Sequence, residues 1–270
     1  LLNGQIIINA ADNISGNSVA TGLSGIDSGF DDVTLNSGAN LTLTGNVTSL
    51  DTIDLTAVGS MNVTTLNAAD QLFLTGNSVT FTDATAGLIA NINTTGNIAF
   101  DSLAATSNVN LDAVGGSVVF GNIAINDNSI TIDATGDITA ASLTTGLANI
   151  DSGFDDITLT SGGNVSLTGT VTSLDDVRVI ATGTVTAATI NASNIIDFSG
   201  TAVTLNDGSA GTNLILNATA GEVNGTGTLT VGGFANFDAT GNINFGSITA
   251  GTGFDIDTTG GNVTFVQANS

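Results

Sequence analysis

The 270-residue sequence contains no Cys, His, Pro, Trp or Tyr, and Arg178 is its single basic side chain. Each absence excludes a class of chemistry. Without Cys there is neither a disulfide nor a thiol nucleophile. Without His, Lys or Tyr, only carboxylates remain as conventional acids and bases. A paired-carboxylate glycosidase would also want aromatic platforms for sugars, and Phe is the only aromatic residue present. The chain therefore reads as a non-enzyme. One basic residue against 24 acidic ones gives a net charge of −23. That balance makes nucleic acid an improbable partner and disfavours anionic membranes. No apolar run approaches the ~20 residues of a membrane helix, so no membrane insertion is expected. The absence of Pro leaves every backbone N–H free to join a β-ladder.

What is present is a small alphabet. Gly, Asn, Thr, Ser, Ala and Asp fill most polar and small positions, and Val, Ile, Leu and Phe supply the apolar ones. At 41% hydrophobic residues the chain has enough apolar surface to fold, despite its biased composition.

Internal repetition is evident at two scales. IDSGFDD occurs at residues 26–32 and again at 150–156, an offset of 124 that holds from Ile8–Gly87 to Ile132–Gly211. Over residues 25–87 the two copies share 31 identities in 63 positions. Beyond Gly87 the offset becomes 145: ANINTTGNIAFDSL at Ala90–Leu103 matches ANFDATGNINFGSI at Ala235–Ile248. The second copy thus holds 21 more residues, near 213–233, as though one structural quantum had been inserted. The short repeat has the same size. Related glycines from Gly38 to Gly260 are spaced by about 20 residues, with one wider interval of 26 where IDSGFDD forms a side loop.

After these glycines polar and apolar residues alternate, as in GNIAF (Gly96–Phe100) and GTVTA (Gly183–Ala187). That is the pattern of a half-buried strand. Runs of four to six residues are too short for helices, and Asn, Asp, Gly and Ser supply turns. The expected fold is an all-β, single-stranded parallel β-solenoid (β-helix) with about 20 residues per coil and about 13 coils. Three short strands and three turns would fit in each coil. Residues 1–124 form a first repeat unit and 125–270 a second with one extra coil near 213–233, in one continuous solenoid. Stacking would align an outward column running Thr42, Asn62, Thr80, Ala99, Val119, Thr139, Ser166, Thr186, Thr204, Asn224, Asn244, Thr264. A β-sandwich would need turns but no fixed period and no quantised insertion.

INTTGNIAFDSL, IDATGDITAASL and FDATGNINFGSI resemble the repeats of filamentous-hemagglutinin-like exoproteins, the large bacterial surface adhesins of two-partner secretion. The resemblance covers nearly the whole chain and implies a right-handed parallel β-helix. The family's secretion domain carries an Asn-Pro-Asn-Gly-type motif, which a chain without Pro does not have.

The candidate metal ligands are Asp27, Asp31, Asp32, Asp151, Asp155 and Asp156, carboxylates crowded into the two Gly-containing IDSGFDD loops. Hard oxygen donors suit Ca2+, although the spacing is not that of an EF-hand. The competing expectation is a solvated acidic turn. A second acidic feature is the column Asn93, Asp112, Asp133 and its counterpart Asn217, Asp238, Asp257. The sequence points to an extracellular or cell-surface structural protein that is its own partner, forming a filament or fibre by head-to-tail stacking of coils. The alternatives are the stalk of a large secreted adhesin and a Ca2+-dependent surface-layer component. The sequence names no receptor.

Overall fold

The computed structural model describes residues 4–22, 29–147 and 153–270. Among the described residues there is no helix, and strands pair in parallel. The chain divides into two compact units, residues 1–126 with 131–135, and residues 127–130 with 136–270. Each unit is a parallel β-solenoid with two ladders, successive coils lying roughly 20 residues apart.

In the first unit the short ladder runs Ile6–Ala10, Val33–Ser37, Ile53–Ala57, Leu72–Gly76, Ala90–Thr94, Val109–Ala113. Its long ladder runs Ile14–Gly16, Leu41–Ser49, Ser60–Ala68, Ser78–Ala86, Ile98–Ala105, Val118–Ile125. In the second unit the short ladder extends from Ile157–Ser161 to Gly253–Thr258 and the long ladder from Ile138–Thr144 to Val263–Asn269. Residues 213–233 hold one strand of each ladder, Asn213–Ala218 and Val223–Val231.

Three strands per coil were expected, and the first coil has them, Ile6–Ala10, Ile14–Gly16 and Val19–Ala20, the last two both pairing with Leu41–Ser49; the coils that follow have two. The long strand bends in its middle and does the work of two. In Leu41–Ser49 the alternation of buried and outward residues breaks over Thr44, Gly45 and Asn46. Leu43 pairs with Val63, yet the next pair is Asn46 with Thr65, so two residues at this corner face Thr64 alone. One coil later Val63 pairs with Phe81 and Thr65 with Asp83, with one corner residue on each side. These bulges take up differences in coil length while the flanking registers stay in step.

Within each unit the outward column follows the expected register: Thr42 faces Asn62, Asn62 faces Thr80, and Ser166 faces Thr186. The inward positions form an apolar stack in which Leu35, Leu55, Leu74, Ile92 and Leu111 are completely buried. Phe81, Phe100 and Phe120 stack ring on ring with centroids 4.6 and 5.2 Å apart, extending that core. Turn asparagines tie successive coils together. Asn40, Asn97, Asn164 and Asn242 each accept, through Oδ1, the backbone N–H of Ser60, Ser117, Thr184 and Asn262 one coil later, all at 2.9 Å. Each bond satisfies a turn donor and fixes the next coil in register.

Candidate functional site

The two IDSGFDD loops leave and rejoin their coils in the same way. Thr21 Oγ1 donates to the Asp31 carbonyl at 2.5 Å, and Thr145 Oγ1 to the Asp155 carbonyl at 2.8 Å. Each carbonyl also accepts a hydroxyl from the following coil, Ser49 in the first unit and Ser173 in the second. Departure depends on Gly22 and Gly146, which adopt φ values of 65° and 70°. A Cβ at either would lie 2.2 or 2.3 Å from Cγ of Leu50 or Leu174. Phe30 and Phe154, just before the return, are largely exposed.

This geometry sorts the candidate ligands. Asp27 and Asp151 lie outside the described residues. Asp31 and Asp155 are completely buried, so the expectation of a solvated turn fails for these two. The Asp31 carboxylate accepts the Gly4 N–H at 2.6 Å, and the Asp31 N–H donates to Asp51 Oδ2 at 2.7 Å. Asp32 and Asp156 stand at the corner, half-buried. Asp32 Oδ1 accepts the Thr52 N–H at 3.1 Å, and Asp156 Oδ1 accepts the Asp176 N–H at 3.2 Å.

Asp156 does not gather the other loop acids. It meets Asp175 and Asp176 of the next coil, one carboxylate oxygen of each lying within 4.8 Å of the others. Three hard oxygens at this spacing match a divalent cation such as Ca2+ in kind. The first unit has Asp32, Asp51 and Thr52 at these positions, and among the described residues no three-acid group forms there. Asp175 and Asp176 escape a reading confined to the IDSGFDD loops. Their signal is VTSLD, which follows each loop by about one coil, at Val47–Asp51 and Val171–Asp175. The acidic column also takes its expected register, with Asn93 facing Asp112, Asn217 facing Asp238, and Asp238 facing Asp257. Arg178 pairs with Asp197 at 3.2 Å on the surface, a contact worth about 0–1 kcal/mol.

A different kind of site lies on the end coils. Ile6, Ile8 and Ile14 correspond, at the offset of 124, to Ile130, Ile132 and Ile138. The latter three are 0% exposed, whereas Ile8 is 41% exposed and Ile6 and Ile14 are only half-buried. Val263 and Phe265 correspond, at the offset of 145, to Val118 and Phe120. Here 40% and 50% exposure stand against 0% and 4%, and the adjoining Val266 is 84% exposed. Core-type residues are thus presented on both end coils.

No known protein family, no curated protein and no solved structure matches the chain.

Proposed function

We propose that this chain is an extracellular structural β-solenoid protein that builds a filament or cell-surface fibre by end-to-end stacking of coils. The observation that carries the proposal is the exposure of Ile8, Val263 and Phe265 on the first and last coils, set against burial of the matching Ile132, Val118 and Phe120 within the chain. Burying an exposed aliphatic or aromatic side chain of this size stabilises by about 1.5–3 kcal/mol. The edge strands on those coils also offer rows of backbone donors and acceptors to another strand. A contact between unlike ends does not close on itself and grows into a filament. In this reading the partner is the protein itself, no reaction is catalysed and no nucleic acid is bound.

Sedimentation velocity and negative-stain imaging over a concentration series test the proposal. Species that lengthen with concentration, and lengthen further as salt screens the net charge of −23, are expected. A monomer at every concentration and salt would remove it. Two other readings have support of their own. The TGNI-type turns, through their resemblance to exoprotein repeats, favour the stalk of a large secreted adhesin, and a non-repetitive domain elsewhere in the gene would support that role. The meeting of Asp156, Asp175 and Asp176 favours a Ca2+-dependent surface-layer component, which loss of assembly on chelation would support.

A further inference from the structure

The end coils match each other in a way that self-association alone does not require. By the two sequence offsets, residues 254–270 correspond to residues 109–125, and residues 6–20 correspond to residues 130–144. In the chain the coil at 109–125 is followed directly by the coil at 130–144. By sequence, the coil at 254–270 is therefore of the type that a coil like 6–20 follows.

Within the first unit that step has a defined register. The Thr135 N–H donates to the Ala113 carbonyl at 3.1 Å. The same rule operates one coil earlier, where the Val114 N–H donates to the Thr94 carbonyl at 3.0 Å and Thr94 stands opposite Ala113. Translated through the offsets, Ala113 becomes Thr258 and Thr135 becomes Ala11.

We propose that the second copy docks by repeating this step, with Gly253–Thr258 of one molecule pairing in parallel with Ile6–Ala10 of the next, Thr258 opposite Ala10 and Asp257 opposite Asn9. This register rests on the filament reading and adds its polarity and alignment. The Ala11 N–H then donates to the Thr258 carbonyl of the neighbouring copy. Ile6 and Ile8 then enter the apolar stack beyond Phe254 and Ile256. The outward column runs Asp238, Asp257, Asn9, so an amide and not a third carboxylate follows the two acids. Unlike a carboxylate, that amide has N–H groups to donate to Asp257.

Engineered cysteines test the register without competition, because the chain has no cysteine of its own. Asn9, Asp255 and Asp257 are all exposed. In the proposed register the Cα atoms of residues 9 and 257 are about 4.8 Å apart, within disulfide range. Residue 255 is two positions away, so its Cα lies about 8 Å from that of residue 9, beyond that range. Under mild oxidation the Asn9→Cys, Asp257→Cys double variant is expected to form covalent ladders of dimers, trimers and longer species. The Asn9→Cys, Asp255→Cys variant is expected to remain uncrosslinked, although it assembles equally by sedimentation. Assembly of the first variant without crosslinks, or crosslinking of the second instead, would overturn the register and leave the filament reading standing. Covalent dimers of either single variant would show like ends meeting and overturn the polarity. Monomers throughout, in both double variants and the parent chain, would overturn the register and the filament reading together.

Discussion

The two IDSGFDD corners are built alike and finished differently. Both loops depart at a glycine with positive φ, both return to a buried Asp, and both hold that residue's carbonyl with a Thr and a Ser hydroxyl. At the rim, Thr52 in the first unit is replaced by Asp176 in the second. Both corners keep the same backbone hydrogen bond to Asp32 or Asp156, and one residue separates a corner without a three-acid group from a corner with one. The shared parts hold the loop on its coil. The part that differs is the one on which the calcium reading rests.

Disturbing the shared parts should affect the two corners equally. Gly22→Ala and Gly146→Ala have the largest expected effects. Each forces a non-glycine residue into the left-handed region, costing about 1–2 kcal/mol. Each also drives a Cβ into Leu50 or Leu174, adding about 1–3 kcal/mol of overpacking. Denaturant midpoints should fall markedly for both. A neutral outcome in one corner alone would show that its loop does not depart as described.

Ser49→Ala and Ser173→Ala come next. Each removes one of two hydroxyls from a buried carbonyl, for an expected loss of about 1–3 kcal/mol in the same assay. A large loss at one serine and none at the other would break the equivalence of the corners.

The smallest effect is the one that distinguishes them. In chelator, Asp176→Thr should raise stability by up to about 1 kcal/mol, because it relieves repulsion among half-exposed carboxylates. If Ca2+ acts at this corner, the metal should raise the thermal midpoint of the parent protein but not of Asp176→Thr, and Thr52→Asp should create a second responsive corner. A parent midpoint indifferent to Ca2+ and chelator would remove the calcium reading.

Much of the fold was legible because a solenoid repeats its instructions. The alternation after each turn glycine gave the columns, and Thr42, Asn62 and Thr80 stand in register as those columns require. The bent long strand was less legible. Corner residues such as Thr44 and Gly45 interrupt the alternation just as a turn would, so one strand with a bulge reads as two. The burial of Asp31 was not legible either. An Asp beside Gly and Phe looks solvated until the Thr21 and Ser49 hydroxyls, 10 and 18 residues away, are found on its carbonyl. Asp175 and Asp176 were hidden for a related reason, since a coil brings together residues about 20 apart while a motif search looks along the chain. The exposure of the end coils is a property of stacking, and only the structure contrasts Ile8 with Ile132.

That contrast carries the central claim, and hydrogen–deuterium exchange measured against protein concentration tests it most directly. If the end coils stack on other copies, amides in Ile6–Ala10, Gly253–Thr258 and Val263–Asn269 should become protected as concentration rises, while those of an internal strand such as Val177–Ala181 stay unchanged. Exchange in the end strands that is equally fast in dilute and concentrated protein would contradict the claim.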